Sequence, residues 1–107
     1  NPRFDLDFLS DSLERYNIQF RFGHRSVDLH SLCRAHHVRK GIIPPLKNGR
    51  SDLNTDKIFN YVGLPEEPKP HHGLTGAKME AEAFSRLIYG RSLLDEFSRY
   101  EIPIYLK

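Results

Sequence analysis

Apolar positions along the chain fall into short stretches of helical spacing, separated by glycine and proline. Phe4, Phe8, Leu9, Leu13 and Tyr16 share one face, while Asp5, Asp7, Asp11 and Glu14 take the others. That spacing predicts a first helix, and acids early in it suit the positive N-terminal end. Asn17 breaks the pattern. Ile18, Phe20 and Phe22 then alternate with Gln19 and Arg21, which is the signature of a half-buried strand ending at Gly23. Asp28 is placed to cap a second helix carrying Leu29, Leu32, Cys33 and His36. Arg34, His37, Arg39 and Lys40 gather toward its C-terminal end, with Gly41 beyond.

Pro44-Pro45 and Lys47-Asn48-Gly49-Arg50 read as a proline turn followed by an exposed, mobile basic loop. Asn54 suits the N-cap of a short third helix with Ile58, Phe59 and Val62, and Leu53 with Ile58 has the spacing of a hydrophobic staple. Gly63-Leu64-Pro65 ends it. A charged, proline-rich connector from Glu66 to Pro70 leads into His71-His72-Gly73-Leu74-Thr75-Gly76-Ala77-Lys78. From there Ala77, Ala81, Phe84, Leu87 and Ile88 form the apolar stripe of a fourth helix, stopped by Gly90. In residues 91–107, Leu93, Leu94, Phe97 and Tyr100 predict a last helix, and Ile102 to Leu106 an extended tail in which Pro103 discourages a central strand. The expectation is thus five short helices and one strand. One strand cannot form a sheet, so its partners come from polypeptide outside these residues or from another copy, or the segment is not a strand.

With 107 residues and 38% hydrophobic content the chain can build one modest core. Sixteen basic residues against 14 acidic ones give a net charge of +2. That balance is far from the one-sided charge of a nucleic-acid coat protein, so any phosphate binding is local. Cys33 is the single cysteine, which leaves no disulfide within these residues and fits a reducing compartment. No apolar run approaches a membrane span, so no membrane association and a cytoplasmic location are expected. The chain begins Asn1-Pro2 without an initiator methionine, and its only methionine, Met79, lies inside a helix. It reads as a fragment or a processed product.

Several constellations carry candidate chemistry. A histidine at the turn before the fourth helix sits at the rim of the domain, where it can act as a base. Cys33, His36, His37, His71 and His72 offer nitrogen and sulfur donors of the kind zinc takes, although their spacing matches no recognised finger. Arg21, His24, Arg25, Arg34, Lys40, Lys47 and Arg50 could line a phosphate-contacting surface, with Tyr16 or Phe22 available to stack on bases. The plain alternative is a scatter of solvated charges. The unpaired strand is also an edge that invites pairing, as in an oligomerisation module.

Two segments, taken together, carry a family resemblance. Asn1-Pro2-Arg3-Phe4-Asp5-Leu6-Asp7-Phe8-Leu9 resembles the second motif of the DEDDh 3'–5' exonucleases, an Asn, two variable residues, Phe-Asp, two more and Phe-Leu. The histidine turn resembles their third motif, a His, a variable residue, a small residue, two more, then Asp-Ala opening the last core helix. Val27 to Leu32 and the Leu53 to Pro65 segment resemble the intervening pieces in order and spacing, so the likeness covers roughly residues 1 to 90. The resemblance implies an α/β, ribonuclease-H-like fold with a mixed sheet flanked by helices. Of that fold these residues would form the C-terminal part of one exonuclease domain, mainly helical with one or few strands. It implies removal of nucleotides from 3' ends of single-stranded DNA or RNA with two divalent cations, magnesium or manganese, while the histidine activates water. Two hard cations about 3.5–4 Å apart suit an in-line phosphoryl displacement but need several carboxylate oxygens.

Carried over by position, Asp5 matches a metal ligand and His71 the general base; His71 is preferred to His72 because Leu74 and Ala77 then fall at the family's offsets. Asn1 and Phe4 match positions flanking the site, and His72 is a further candidate for contacting nucleic acid. The departures are specific. Gly76 stands where the family has its fourth acid, and no Asp-x-Glu first motif or opening strands precede Asn1. Glu80, four residues on, shares a helix face with Gly76 and could reach back as a replacement ligand; otherwise it is a solvated helix residue, like Glu82. One aspartate cannot anchor two cations. The 107 residues alone are therefore expected to bind no metal tightly and to be inactive, needing a missing N-terminal segment or another chain to supply strands and acids. The same implied architecture without its acids would leave a non-catalytic nucleic-acid-binding or protein-interaction module.

Overall fold

Both side chains read as helix caps serve as caps. Asp28 Oδ1 accepts the Ser31 N–H at 2.9 Å and Asn54 Oδ1 accepts the Lys57 N–H at 2.9 Å, each satisfying a donor that the first helical turn leaves open. The computed structural model describes residues 2–107. Its helices are α1 (Pro2–Arg15), α2 (Leu29–Arg39), α3 (Thr55–Tyr61) and α4 (Gly73–Tyr89). Two short strands, β1 (Leu46–Lys47) and β2 (Arg50–Ser51), pair antiparallel with Leu46 opposite Ser51 and Lys47 opposite Arg50. The described residues are thus mainly helical, with a two-stranded antiparallel sheet.

The strands are not where alternation predicted one. Ile18, Phe20 and Phe22 form no strand and stay exposed. Asn17, at φ 54°, closes α1 in the left-handed conformation, and the Ile18 N–H reaches back to the Leu13 carbonyl at 2.9 Å, the long-range bond of a Schellman stop. With no neighbouring strand, the segment then folds on itself: the Phe20 N–H meets the Ile18 carbonyl at 2.9 Å and the Phe20 and Phe22 rings touch edge to face. The expected loop at Lys47-Asn48-Gly49-Arg50 is instead a hairpin. Asn48 and Gly49 both have positive φ, 52° and 73°, which an Asn-Gly pair adopts readily and which matches the twist of the flanking strands.

The main core lies between α3, α4 and the C-terminal segment, where Phe59, Val62, Leu64, Met79, Ala83, Phe97 and Leu106 are buried together. Cys33, Leu53 and Ile58 form a smaller cluster under α2, so the two staple residues are packed in one place. α4 presents only part of its predicted stripe to this core: Leu87 packs against it and Phe84 is half-buried. Ala77, Ala81 and Ile88 are exposed, whereas Met79, Glu82, Ala83, Ser85 and Arg86 are buried. The reason is a buried ion pair. Arg86 Nε donates to Glu82 Oε1 at 2.7 Å, and the guanidinium also donates to the carbonyls of Val62, Phe97 and Tyr100. Glu82 accepts from Ser92 Oγ and from the N–H groups of Leu93 and Leu94. Glu82 is therefore not the solvated residue expected from its charge.

This pair also explains why residues 91–107 form no full helix. The N–H groups of Leu93 and Leu94 and the carbonyls of Arg91, Phe97 and Tyr100 are taken by α4 side chains, leaving only 3-10 turns at Asp95–Phe97 and Ile104–Leu106, and the end of the tail folds in so that Leu106 is buried. Close approach of this tail needs glycine. Gly90 closes α4 at φ 62°, and a Cβ there would stand 2.7 Å from the Leu106 carbonyl oxygen. α1 contributes no buried residue. The radius of gyration is 15.7 Å, against about 13 Å for a compact chain of this length, as the extents of 48 × 36 × 27 Å reflect. Among the described residues, no helix is long and apolar enough to cross a membrane.

Candidate functional site

The first part of the α4 stripe opens onto a cleft. Ala77, Ala81 and Phe84 line one wall of a cavity of about 830 Å³, closed on other sides by the start of α1, by residues 27–30 and by residues 53–58. The small side chains of Ala77 and Ala81 keep that wall open, and Leu29, Leu53, Ile58 and Phe84 make much of the lining apolar. Asp5 enters from α1, Asp28 and His30 from the start of α2, and Glu80 from α4. The cleft thus joins Asp5 and Glu80, which are far apart in the chain.

These polar groups are engaged to different degrees. The bonds from Ser31 hold the Asp28 carboxyl below its ordinary range, tying its charge to the N-terminus of α2. His30 Nε2 lies 2.8 Å from Ser51 Oγ, linking α2 to β2. Asp5 and Glu80 are exposed and have no ion-pair or hydrogen-bond partner for their carboxylates among the described residues. They are the free acids of the cleft. Among the described residues no three His, Cys, Asp or Glu side chains are grouped to hold a metal ion, so these acids do not by themselves fit a pair of divalent cations.

His71 lies outside the cleft. It stands just ahead of α4 with Nδ1 3.0 Å from Glu67 Oε2, its own side chain 64% exposed and that of Glu67 only 16%. His72 is the N-cap residue of α4 but makes no side-chain cap bond. Phe4 is exposed on α1 and takes no part in the cleft lining, and Asn1 lies outside the described residues. Asp5, matched to a motif acid, and Glu80, the candidate replacement for the acid missing at Gly76, line one cleft, and the histidine turn lies apart from it.

The candidate zinc donors are also divided. The His37 ring, buried, donates from Nδ1 to the Cys33 carbonyl at 2.8 Å and stacks on Tyr61 with centroids 3.9 Å apart. Cys33 Sγ is 3.6 Å from the same nitrogen, and burial pushes its thiol up to about 12, so it stays protonated and unreactive. His36 is half-buried with Nδ1 2.9 Å from the Tyr61 hydroxyl, while His71 is paired with Glu67. Arg21, His24, Arg25, Arg34, Lys40, Lys47 and Arg50 are all exposed.

Sequence reasoning missed Glu67, Glu82 and Arg86. For the last two a signal existed, an acid four residues before an arginine on one helix, but that spacing is equally common on solvated faces. Glu67 carried no signal in its charged connector. Comparison of the chain with protein-family models, with curated proteins and with solved structures finds no match.

Proposed function

We propose that these residues are the C-terminal part of a DEDDh-type 3'–5' exonuclease domain of ribonuclease-H-like fold. Its first acidic motif and opening strands come from a preceding segment or another chain. The observation that carries this reading is the joining of Asp5, at the second-motif metal position, with Glu80, one turn beyond Gly76 of the third motif, in one cleft where neither carboxylate has a partner among the described residues. Exposed Ile18, Phe20 and Phe22 support it from another side, since they have the alternation of a strand and lack only neighbours to pair with.

In the reaction this implies, a base takes a proton from water, the water oxygen bonds to the terminal phosphorus, and the bond to the 3'-oxygen of the penultimate nucleotide breaks, that oxygen taking up a proton from solvent to become a 3'-hydroxyl as a nucleoside 5'-monophosphate is released. His71 is assigned to the proton by its motif position, and since it lies outside the cleft of Asp5 and Glu80 here, the assignment requires the missing segment to bring the histidine turn and the cleft to one substrate; the substrate is a DNA or an RNA 3' end. The divalent cations of such enzymes need more carboxylates than are grouped together among the described residues.

The test uses the intact protein with 5'-labelled single-stranded DNA or RNA and magnesium or manganese. Stepwise shortening from the 3' end is expected. Asp5→Asn should abolish it, and His71→Ala should lower kcat roughly 10²–10⁴-fold, the span of a lost general base. The 107 residues alone should cut neither substrate. Binding of single strands without cutting would replace this reading with that of a non-catalytic module built on the same architecture.

A further inference from the structure

Position 76 lacks a carboxylate of its own, yet a carboxylate stands beside it. A Cβ on Gly76 would lie 3.0 Å from Glu67 Oε1 and 3.5 Å from its Cδ, so the head of Glu67 takes the space that a side chain at 76 would need. The other oxygen, Oε2, is the one 3.0 Å from His71 Nδ1. The connector is fastened at this point, because the Glu67 N–H donates to Asp56 Oδ1 of α3 at 3.4 Å. The carboxylate also sits by the first turn of α4, whose positive end favours a negative charge and whose N-cap, His72, offers no side-chain bond.

This contact decides where the imidazole keeps its proton. A carboxylate oxygen 3.0 Å from an unprotonated ring nitrogen would set lone pair against lone pair. Neutral His71 therefore carries hydrogen on Nδ1 and leaves Nε2 as a bare acceptor on a largely exposed ring. We propose that Glu67 is the positioning residue of His71, fixing the tautomer in which Nε2 can take a proton from water, and that Gly76 is glycine in order to admit the Glu67 carboxylate. This inference rests on the reading of His71 as the water-activating group.

The experiment is a long-range ¹⁵N–¹H correlation spectrum of the full chain with labelled histidine at about pH 9, well above the ordinary imidazole range. His71 should show mainly the Nδ1–H form. His72, with no side-chain partner among the described residues, should show the solvent mixture dominated by Nε2–H. Glu67→Ala should bring His71 to the His72 pattern, and Gly76→Leu should do the same by taking the carboxylate's space. Glu67→Gln, whose amide oxygen can still accept, should keep Nδ1–H. A His71 signal like that of His72 in the unaltered protein, or one untouched by Glu67→Ala, overturns the pairing.

In the intact protein cutting single-stranded DNA with manganese, Glu67→Ala should lower kcat roughly tenfold at unchanged KM, part of a general base's contribution, with partial recovery in Glu67→Gln. The two readings fail separately. An Nδ1–H pattern that depends on Glu67, in a protein that cuts nothing, overturns the exonuclease and leaves the pairing; cutting that needs His71 without that pattern overturns the pairing alone.

Discussion

In α1 and the segment after it, Phe4, Phe8, Leu9, Tyr16, Ile18, Phe20 and Phe22 are all exposed, and α1 buries nothing. In residues 28–107, Phe59, Val62, Leu64, Met79 and Ala83 close over one another, and even a glutamate and an arginine are wholly buried. The two regions use similar apolar side chains. They differ in whether a second surface is present to receive them, since a helix stripe or an alternating strand says only which face wants burial. The C-terminal region supplies its own second surface by folding its tail onto α4; the N-terminal region has none among the described residues. A proposal in which further strands pair with Ile18–Phe22 follows from that asymmetry.

The sharpest way to break the comparison is to attack the self-sufficient half. Arg86→Ala should destabilise the fold by about 3–5 kcal/mol, the usual cost of removing one partner of a buried pair, read by urea unfolding. Glu82 would keep Ser92, Leu93 and Leu94 as donors, but the carbonyls of Val62, Phe97 and Tyr100 would each lose one. Replacing the pair together with apolar side chains, Glu82→Leu with Arg86→Met, should therefore fail to restore stability. Full recovery in the double variant would mean that the pair acts alone and does not stitch the tail to α4.

A milder probe of the same half is acid. Burial raises the Glu82 carboxyl, but the bonds from Arg86, Leu94, Leu93 and Ser92 outweigh it and hold the group below its ordinary value near 4.5. Between those two values the unfolded chain binds the proton and the folded chain does not, so stability present above the ordinary value is lost as pH falls through the folded one. Urea midpoints should drop on acidification from pH about 5 to about 3, and less steeply in Glu82→Gln. An equal slope in the variant would move the acid sensitivity to other depressed carboxyls, such as Asp28.

Local signals in the sequence proved dependable where the deciding atoms are close in the chain. The caps Asp28 and Asn54, the stop at Gly90 and the staple of Leu53 with Ile58 all depend on neighbours within a few residues. The strand at Ile18–Phe22 and the last helix failed because alternation and helical spacing do not say what else is present to pair or compete: no described strand lies beside the first, and the Glu82 and Arg86 side chains take backbone groups of the second. The same division runs through the candidate site. Asp5 and Glu80 could be named from a motif and a helical offset, whereas Glu67 reaches Gly76 and His71 only because the connector folds back.

The smallest effects should come from the N-terminal half, and their smallness is informative. Phe8→Ala and Phe20→Ala remove large side chains that are 67% and 59% exposed, so each should change unfolding free energy by no more than about 0.5 kcal/mol. The same truncation at Phe59, fully buried, should cost about 3–5 kcal/mol. Amide exchange should follow this order, fast through α1 and slow through α3 and α4, because α1 has no packing to hold it closed. If the strands proposed for the intact protein pair with Ile18–Phe22, Phe20→Ala should become costly there while remaining silent in these residues alone. An equally small effect in both would leave the N-terminal half without the partner its pattern calls for, and would separate α1 from the exonuclease architecture.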